Sequence, residues 1–247
     1  MSQPADPTPA RTEEDQKGLH HLAEDAMGFG LLELRTAWAM VVRPRASLEA
    51  YMRLGPTAGE TLARPLRLYL ALNAIMMLVM FLQGGMEGMM TGSIPQEAWQ
   101  SVADSAGKSV DEFIGDAEAW ISLALVPLGS AVYALMLAPL MRWWDPENLG
   151  WRKGFRSTFV YLNIVSVPYI PFTLLFFVDQ RLYVWSLLYF LGLVIYGFLR
   201  AGRGRWFSNW AVGGLKALAL IAVISLAQIV ITLPLILIGY LGGTYGA

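Results

Sequence analysis

Between Leu66 and Leu82 the chain places a single charge, Arg67, among seventeen residues, and only Tyr69 and Asn73 add further polarity. A helix rises about 1.5 Å per residue, so this run just crosses a hydrocarbon core of roughly 30 Å. Arg67 lies one residue inside the start, where its long stem reaches back to the headgroups. Pro65, just ahead, suits the first position of a helix. Four more apolar runs follow, at about 120–141, 155–178, 182–199 and 215–241. The expected fold is therefore all-α: a polytopic integral membrane protein with five transmembrane helices. Charged residues make up 15% of the chain, against about 25% in soluble domains.

Residues 1–27 are polar, with Pro4, Pro7, Pro9 and the run Glu13-Glu14-Asp15. They lack the apolar surface that offsets ordering entropy, and read as a disordered cytoplasmic tail. No apolar segment precedes a cleavage site, so the first span is expected to act as an uncleaved anchor. His20-His21 has no further ligand nearby and reads as a solvated pair. From Phe29 the pattern turns helical. Leu31, Leu34, Trp38, Val41 and Val42 recur at helical spacing, interleaved with Glu33 and Arg35. Pro44 ends or kinks that helix, and Ser47 is placed to cap a second one running to Gly55-Pro56. Residues 28–64 thus read as short amphipathic cytoplasmic helices. Two arrangements stay open. They lie on the bilayer with Arg43, Arg45, Arg53, Arg64 and Arg67 near anionic headgroups, or they pack on the protein's own cytoplasmic face.

Residues 83–118 read as an acidic exterior loop, with seven carboxylates against Lys108. Met86, Met89 and Met90 begin it and read as membrane-edge filler, although thioethers also suit copper(I). Ser109 and Glu112 match a capping box ahead of Trp120. Of the 18 Lys and Arg residues, 16 fall on one side of a five-span plan, and the acidic loop falls on the other. The positive-inside rule then puts the N-terminus in the cytoplasm of an inner-membrane protein, with the tail 242–247 on the periplasmic side.

The span interiors hold no Asp, Glu, Lys, Arg or His, which argues against a proton relay. Neutral polar groups and prolines mark a possible half-depth cavity: Asn73, Asn163, Pro168, Pro171 and Gln228. Prolines free backbone carbonyls that line binding sites in some transporters. The plainer reading is helix–helix hydrogen bonds, worth roughly 0.6 to 2 kcal/mol each. Gly213 and Ala217 form a small-xxx-small pair suited to close helix approach. The chain has no Cys, hence no thiolate nucleophile and no cysteine zinc site. No metal site or cofactor is expected. The chain contains no His-Glu-x-x-His, Gly-x-Ser-x-Gly or phosphate-loop motif. Asp145 and Glu147 read as surface acids that nothing ties to a lipid-modifying reaction, and no enzyme is expected.

Pro65-Leu66-Arg67-Leu68-Tyr69-Leu70, with Arg43-Pro44 and Tyr51-Met52-Arg53-Leu54-Gly55 before it, resembles a bacterial family of uncharacterised multi-span membrane proteins, a domain of unknown function. Many of its members add an N-terminal cysteine zinc ribbon, for which this chain has no ligands. The plan and the stretch Phe155-Arg156-Ser157-Thr158-Phe159-Val160-Tyr161 are similar, more weakly, to the Yip-type five-span proteins. Those resemblances imply a five-span protein with a cytoplasmic N-terminal region and carry over no functional residue. The expected function is a non-catalytic membrane scaffold or interaction subunit that binds membrane proteins or lipids. The alternative is a small-molecule permease or channel-like carrier using the region from Asn163 to Pro171. Expected partners are the lipid bilayer, other membrane proteins or further copies of the chain, and not nucleic acid.

Overall fold

The computed structural model describes residues 30–82, 96–147, 149–176 and 182–246. The polar tail, His20-His21, Met86, Met89 and Met90, and the connection at Asp179-Gln180 lie outside them. Among the described residues the chain forms eight helices and no sheet: α1 (Leu31–Val42), α2 (Pro44–Leu54), α3 (Pro65–Leu82), α4 (Gln96–Ala106), α5 (Val110–Trp144), α6 (Trp151–Phe176), α7 (Tyr183–Gly202) and α8 (Trp210–Tyr245). Four of them, α3, α5, α7 and α8, are long and apolar enough to cross a membrane. The expected span at 155–178 falls on α6, which is not among those four and ends, as described, at Phe176.

α6 is the hub of the bundle and packs on α1, α2, α3, α5 and α7. Every residue from Ser157 to Val165 is buried. A helix covered on all sides has protein partners for its polar groups, which is why α6 tolerates Ser157, Thr158 and Asn163. The Ser157 and Thr158 hydroxyls both donate to the Gly154 carbonyl, at 2.8 and 3.0 Å. Tyr161, Phe198 and Trp206 form an aromatic cluster between α6, α7 and the α7–α8 turn.

Several boundaries differ from the sequence expectation. α5 begins at Val110, not near Trp120, so the supposed exterior loop 83–118 contains α4 and the first turns of α5. The predicted capping box is present: Ser109 Oγ accepts from the Glu112 N–H at 3.3 Å. Once capped, nothing in the sequence stops the helix before Trp120, although hydropathy falls across its acids. α8 likewise starts at Trp210 and continues through Pro234 to Tyr245, taking in part of the supposed tail. Gly239, Gly242 and Gly243 are buried where α8 crosses Ile121, Trp120 and Phe113 of α5. These glycines, rather than Gly213, mark the close helix approach. Gly213 is covered by the Phe207 ring of the α7–α8 turn. α2 starts at Pro44 and not at Ser47, because proline is admitted at N1. Ser47 is buried inside the helix.

Both N-terminal helices pack on the bundle, but with opposite faces. α2 buries Leu48, Tyr51 and Met52 on the bundle and turns Arg45 and Arg53 outward. α1 does the opposite. Its inward face carries Glu33, Thr36, Ala37 and Met40. Leu31, Leu34, Trp38, Val41 and Val42 are exposed, Trp38 by 70%. Glu33 is paired with Arg67 at 3.1 Å and accepts from the Gly30 N–H at 2.9 Å. The link between α2 and α3 is pegged by the Tyr51 hydroxyl donating to the Ala63 carbonyl and the Ala63 N–H donating to Thr36 Oγ1 at 2.8 Å. Gly55, at φ +100°, makes the turn that leaves α2.

Candidate functional site

A cavity of about 210 Å³ lies inside the bundle between α3, α5, α6, α7 and α8. Its polar lining is neutral: Tyr69 and Asn73 from α3, Tyr133 from α5, Tyr161, Ser166 and Tyr169 from α6, and Gln228 from α8. These groups largely hold one another. Asn73 Nδ2 donates to the Tyr69 carbonyl at 2.8 Å, and Gln228 Nε2 donates to the Tyr133 hydroxyl. Tyr161 donates to the Val194 carbonyl at 2.9 Å, and Tyr169 shares a 2.9 Å hydrogen bond with Ser186. A groove of about 540 Å³ between α6, α7 and α8 shares Tyr169, Phe190, Val194, Ile224 and Gln228 with the cavity. Leu187 and Ile229 on its walls are exposed, so it opens on the outer surface of the bundle. The lining holds no carboxylate, imidazole or amine, and so no group that ordinarily titrates near neutral pH. It suits a neutral or weakly polar molecule rather than an ion.

The expected cavity residues separate. Asn73 and Gln228 line the cavity; Asn163, Pro168 and Pro171 do not. Asn163 is fully buried, and its Nδ2 donates to the Pro65 carbonyl at 2.8 Å, tying α6 to the first turn of α3. Its Oδ1 has no partner among the described residues. The Pro168 carbonyl accepts from the Tyr189 hydroxyl at 3.3 Å, and Pro171 is exposed. The tyrosines are what the sequence reading passed over. For Tyr133 and Tyr161 the signal was position, since they stand well inside their helices, away from the ends where interfacial tyrosines gather.

At the end of the bundle where α5 and α7 finish, two turns are locked together. Arg205 clasps Asp145 through Nε at 2.5 Å and Nη2 at 3.0 Å, and reaches Glu147 at 3.1 Å. The Asp145 side chain is wholly buried and that of Arg205 is 10% exposed. Hydrogen bonds and charge from Arg205 hold the Glu147 carboxyl below its ordinary range. Burial works against the Arg205 charge, and the carboxylates more than offset it, so its guanidinium is held above the usual arginine value. Asp145 and Glu147, which read as surface acids in sequence, are thus structural anchors. Beside them α2, α7 and the start of α8 enclose a cleft of about 470 Å³ carrying Arg43, Arg45, Arg200 and Arg203. Arg53 and Arg64 are exposed outside this cleft, and Arg67 is engaged by Glu33. Among the described residues no cluster of His, Asp or Glu has a metal-binding arrangement.

No protein-family model matches this chain, and neither a curated protein nor a solved structure does.

Proposed function

We propose that this chain is a five-span inner-membrane protein that acts as a non-catalytic scaffold, engaging lipid and neighbouring membrane proteins through α1. The observation that carries the reading is the inverted polarity of α1. Glu33 and Thr36 face the bundle while Leu31 and Trp38 are 73% and 70% exposed. In water that arrangement leaves a long apolar stripe uncovered; against acyl chains or another membrane protein it is the stable one. α6 is taken as the fifth span, packed against α3, α5 and α7. The N-terminus is assigned to the cytoplasm by the sorting of Lys and Arg. Exposed Trp143, Trp151 and Trp210 ring the end with the Arg205 anchor, and Trp120 and Trp185 are exposed toward the other end. Along α5, Trp120 and Trp143 stand about 35 Å apart, close to a hydrocarbon core flanked by its interfaces. The resemblance to bacterial multi-span families agrees with this plan.

The absence of cysteine permits a direct test. A polarity-sensitive fluorophore on Trp38→Cys in native membranes should report an apolar surrounding, and one on Arg53→Cys an aqueous one. An aqueous signal at position 38 would overturn the reading. A second reading, a permease for a small neutral molecule, is favoured by the tyrosine-lined cavity and its lateral groove. The double variant Asn73→Leu, Gln228→Leu should keep its fold and its partners if the chain is a scaffold. A carrier would instead lose flux while remaining folded.

A further inference from the structure

We propose that the cleft between the α1–α2 junction and the α7–α8 turn binds the phosphate of an anionic phospholipid. This rests on the bilayer-embedded reading and specifies which lipid chemistry the protein recognises. Four arginines, Arg43, Arg45, Arg200 and Arg203, line it from separate parts of the chain. Glu49 is the one carboxylate in the lining, and it is engaged by Arg45 at 3.0 Å. Arg43, Arg200 and Arg203 have no carboxylate in ion-pairing range among the described residues. The cleft thus keeps an excess of positive charge that the fold leaves unneutralised. Like charges gathered in this way repel, and an anion relieves them; a phosphate accepts from several guanidinium groups at once.

Two of the arginines are held in place by their neighbours. Arg203 stacks over the Trp210 ring at 4.6 Å. Arg45 lies against Gly204, where a Cβ would come within 2.9 Å of its Nη2, and Gly204 sits at φ +80°. The N-terminus of α2, whose dipole favours an anion, begins at Pro44 in the same lining. Two features favour a lipid over a free phosphate. The cleft walls include Leu199 of α7 and Val42, and Val42 belongs to the exposed apolar face of α1. Trp210 also belongs to the exposed aromatic ring at this end, the level where headgroups lie. An acyl chain can therefore run along apolar surface while its phosphate meets the arginines.

The test uses the full-length chain in nanodiscs of phosphatidylcholine with a minority of phosphatidylglycerol, released gently into a mass spectrometer. Wild type should retain phosphatidylglycerol in preference to phosphatidylcholine. Arg43→Gln, Arg200→Gln and Arg203→Gln should each weaken that preference roughly fivefold, and the triple variant should abolish it. Arg53→Gln with Arg64→Gln, outside the cleft, should leave it unchanged. Helical circular dichroism checks each variant; the single variants alter exposed side chains and decide the matter if the triple variant fails to fold. A preference that survives the triple variant, or that falls equally with Arg53 and Arg64, overturns the site. Displacement of phosphatidylglycerol by millimolar inorganic phosphate overturns the lipid assignment in favour of a free anion. Failure of the embedded reading is distinct, because wild type would then retain neither lipid and the fluorophore at position 38 would report water.

Discussion

Removing the guanidinium of Arg205 is the most informative single change to the fold. Its partner Asp145 has a side chain with no solvent exposure, and Arg205 itself is 10% exposed. Arg205→Gln leaves a carboxylate in a protein interior without its bidentate partner. Breaking a buried pair from one side costs about 3 to 5 kcal/mol, most of it the penalty of the stranded charge. Glu147 adds little to this figure, because its side chain is 50% exposed and solvent screens it. The structure therefore orders a series. Arg205→Gln should be the least stable. Arg205→Gln with Asp145→Asn should regain much of the loss, since two neutral polar groups of similar volume replace the pair. Lys153→Gln should be indistinguishable from wild type, because its contact with Glu147 is 3.8 Å long and exposed on both sides. The assay is equilibrium unfolding of the full chain in mixed micelles, titrated with a denaturing detergent and followed by helical circular dichroism. An Arg205→Gln variant within about 1 kcal/mol of wild type would refute the reasoning. So would a double variant as unstable as the sum of its two singles.

Further predictions follow from the glycines and from acid. A Cβ at Gly242 would stand 2.7 Å or less from three Trp120 atoms, including Trp120 Cβ, which cannot swing away. Gly242→Ala should thus destabilise by about 1 to 3 kcal/mol, despite alanine's better helix propensity. Gly192, in α7, has nothing within 4 Å of such a Cβ, so Gly192→Ala should stabilise by up to about 1 kcal/mol. The same detergent titration checks both, and equal signs would count against the packing argument. Glu147 is held below its ordinary value of 4.5, first by its hydrogen bond from Arg205. A carboxyl lowered by folding stabilises the fold above the unfolded value and ceases to do so as pH falls through the lowered one. Stability should therefore fall on acidification below about pH 4.5, by a small amount, and less steeply in Glu147→Gln. Identical pH profiles for the two proteins would remove Glu147 from the account.

Much of the helical plan was legible because its signals are local. Pro65 and the run to Leu82 bounded α3, and Ser109 with Glu112 marked the start of α5. What stayed hidden depends on contacts distant in sequence. Asp145 looked like a surface acid because its partner Arg205 lies on another turn, beyond two helices. Asn163 looked like a cavity group or, more plainly, a helix–helix hydrogen bond. Its bond to the Pro65 carbonyl is the second, with a partner that polarity within an apolar run does not reveal. Periodicity found the apolar residues of both α1 and α2, but it cannot tell which side of a helix meets protein. The bundle settled this by offering Arg67 and the Ala63 N–H to the polar face of α1, while α2 turned Leu48 and Tyr51 inward, the Tyr51 hydroxyl reaching the Ala63 carbonyl.

The same logic explains why apolar composition alone separates α6 from its neighbours. Hydropathy in a helical membrane bundle records contact with lipid more than depth in the bilayer. α8 is the most apolar of the four long apolar helices, and only 17% of its apolar window is buried by protein; for α3, less apolar, the share is 33%. The middle of α6, residues 157–165, is enclosed on all sides, with its hydroxyls and amide bonded inside the bundle. A stretch enclosed by protein needs no lipid-soluble surface. It can therefore carry Ser157, Thr158 and Asn163. On this argument α6, the least apolar of the five long helices, is proposed as the fifth span because of the protein that encloses its middle. Single-cysteine accessibility at Ser166 decides the point: in native membranes Ser166→Cys should resist an impermeant maleimide, and rapid labelling there would exclude α6 as a sheathed span.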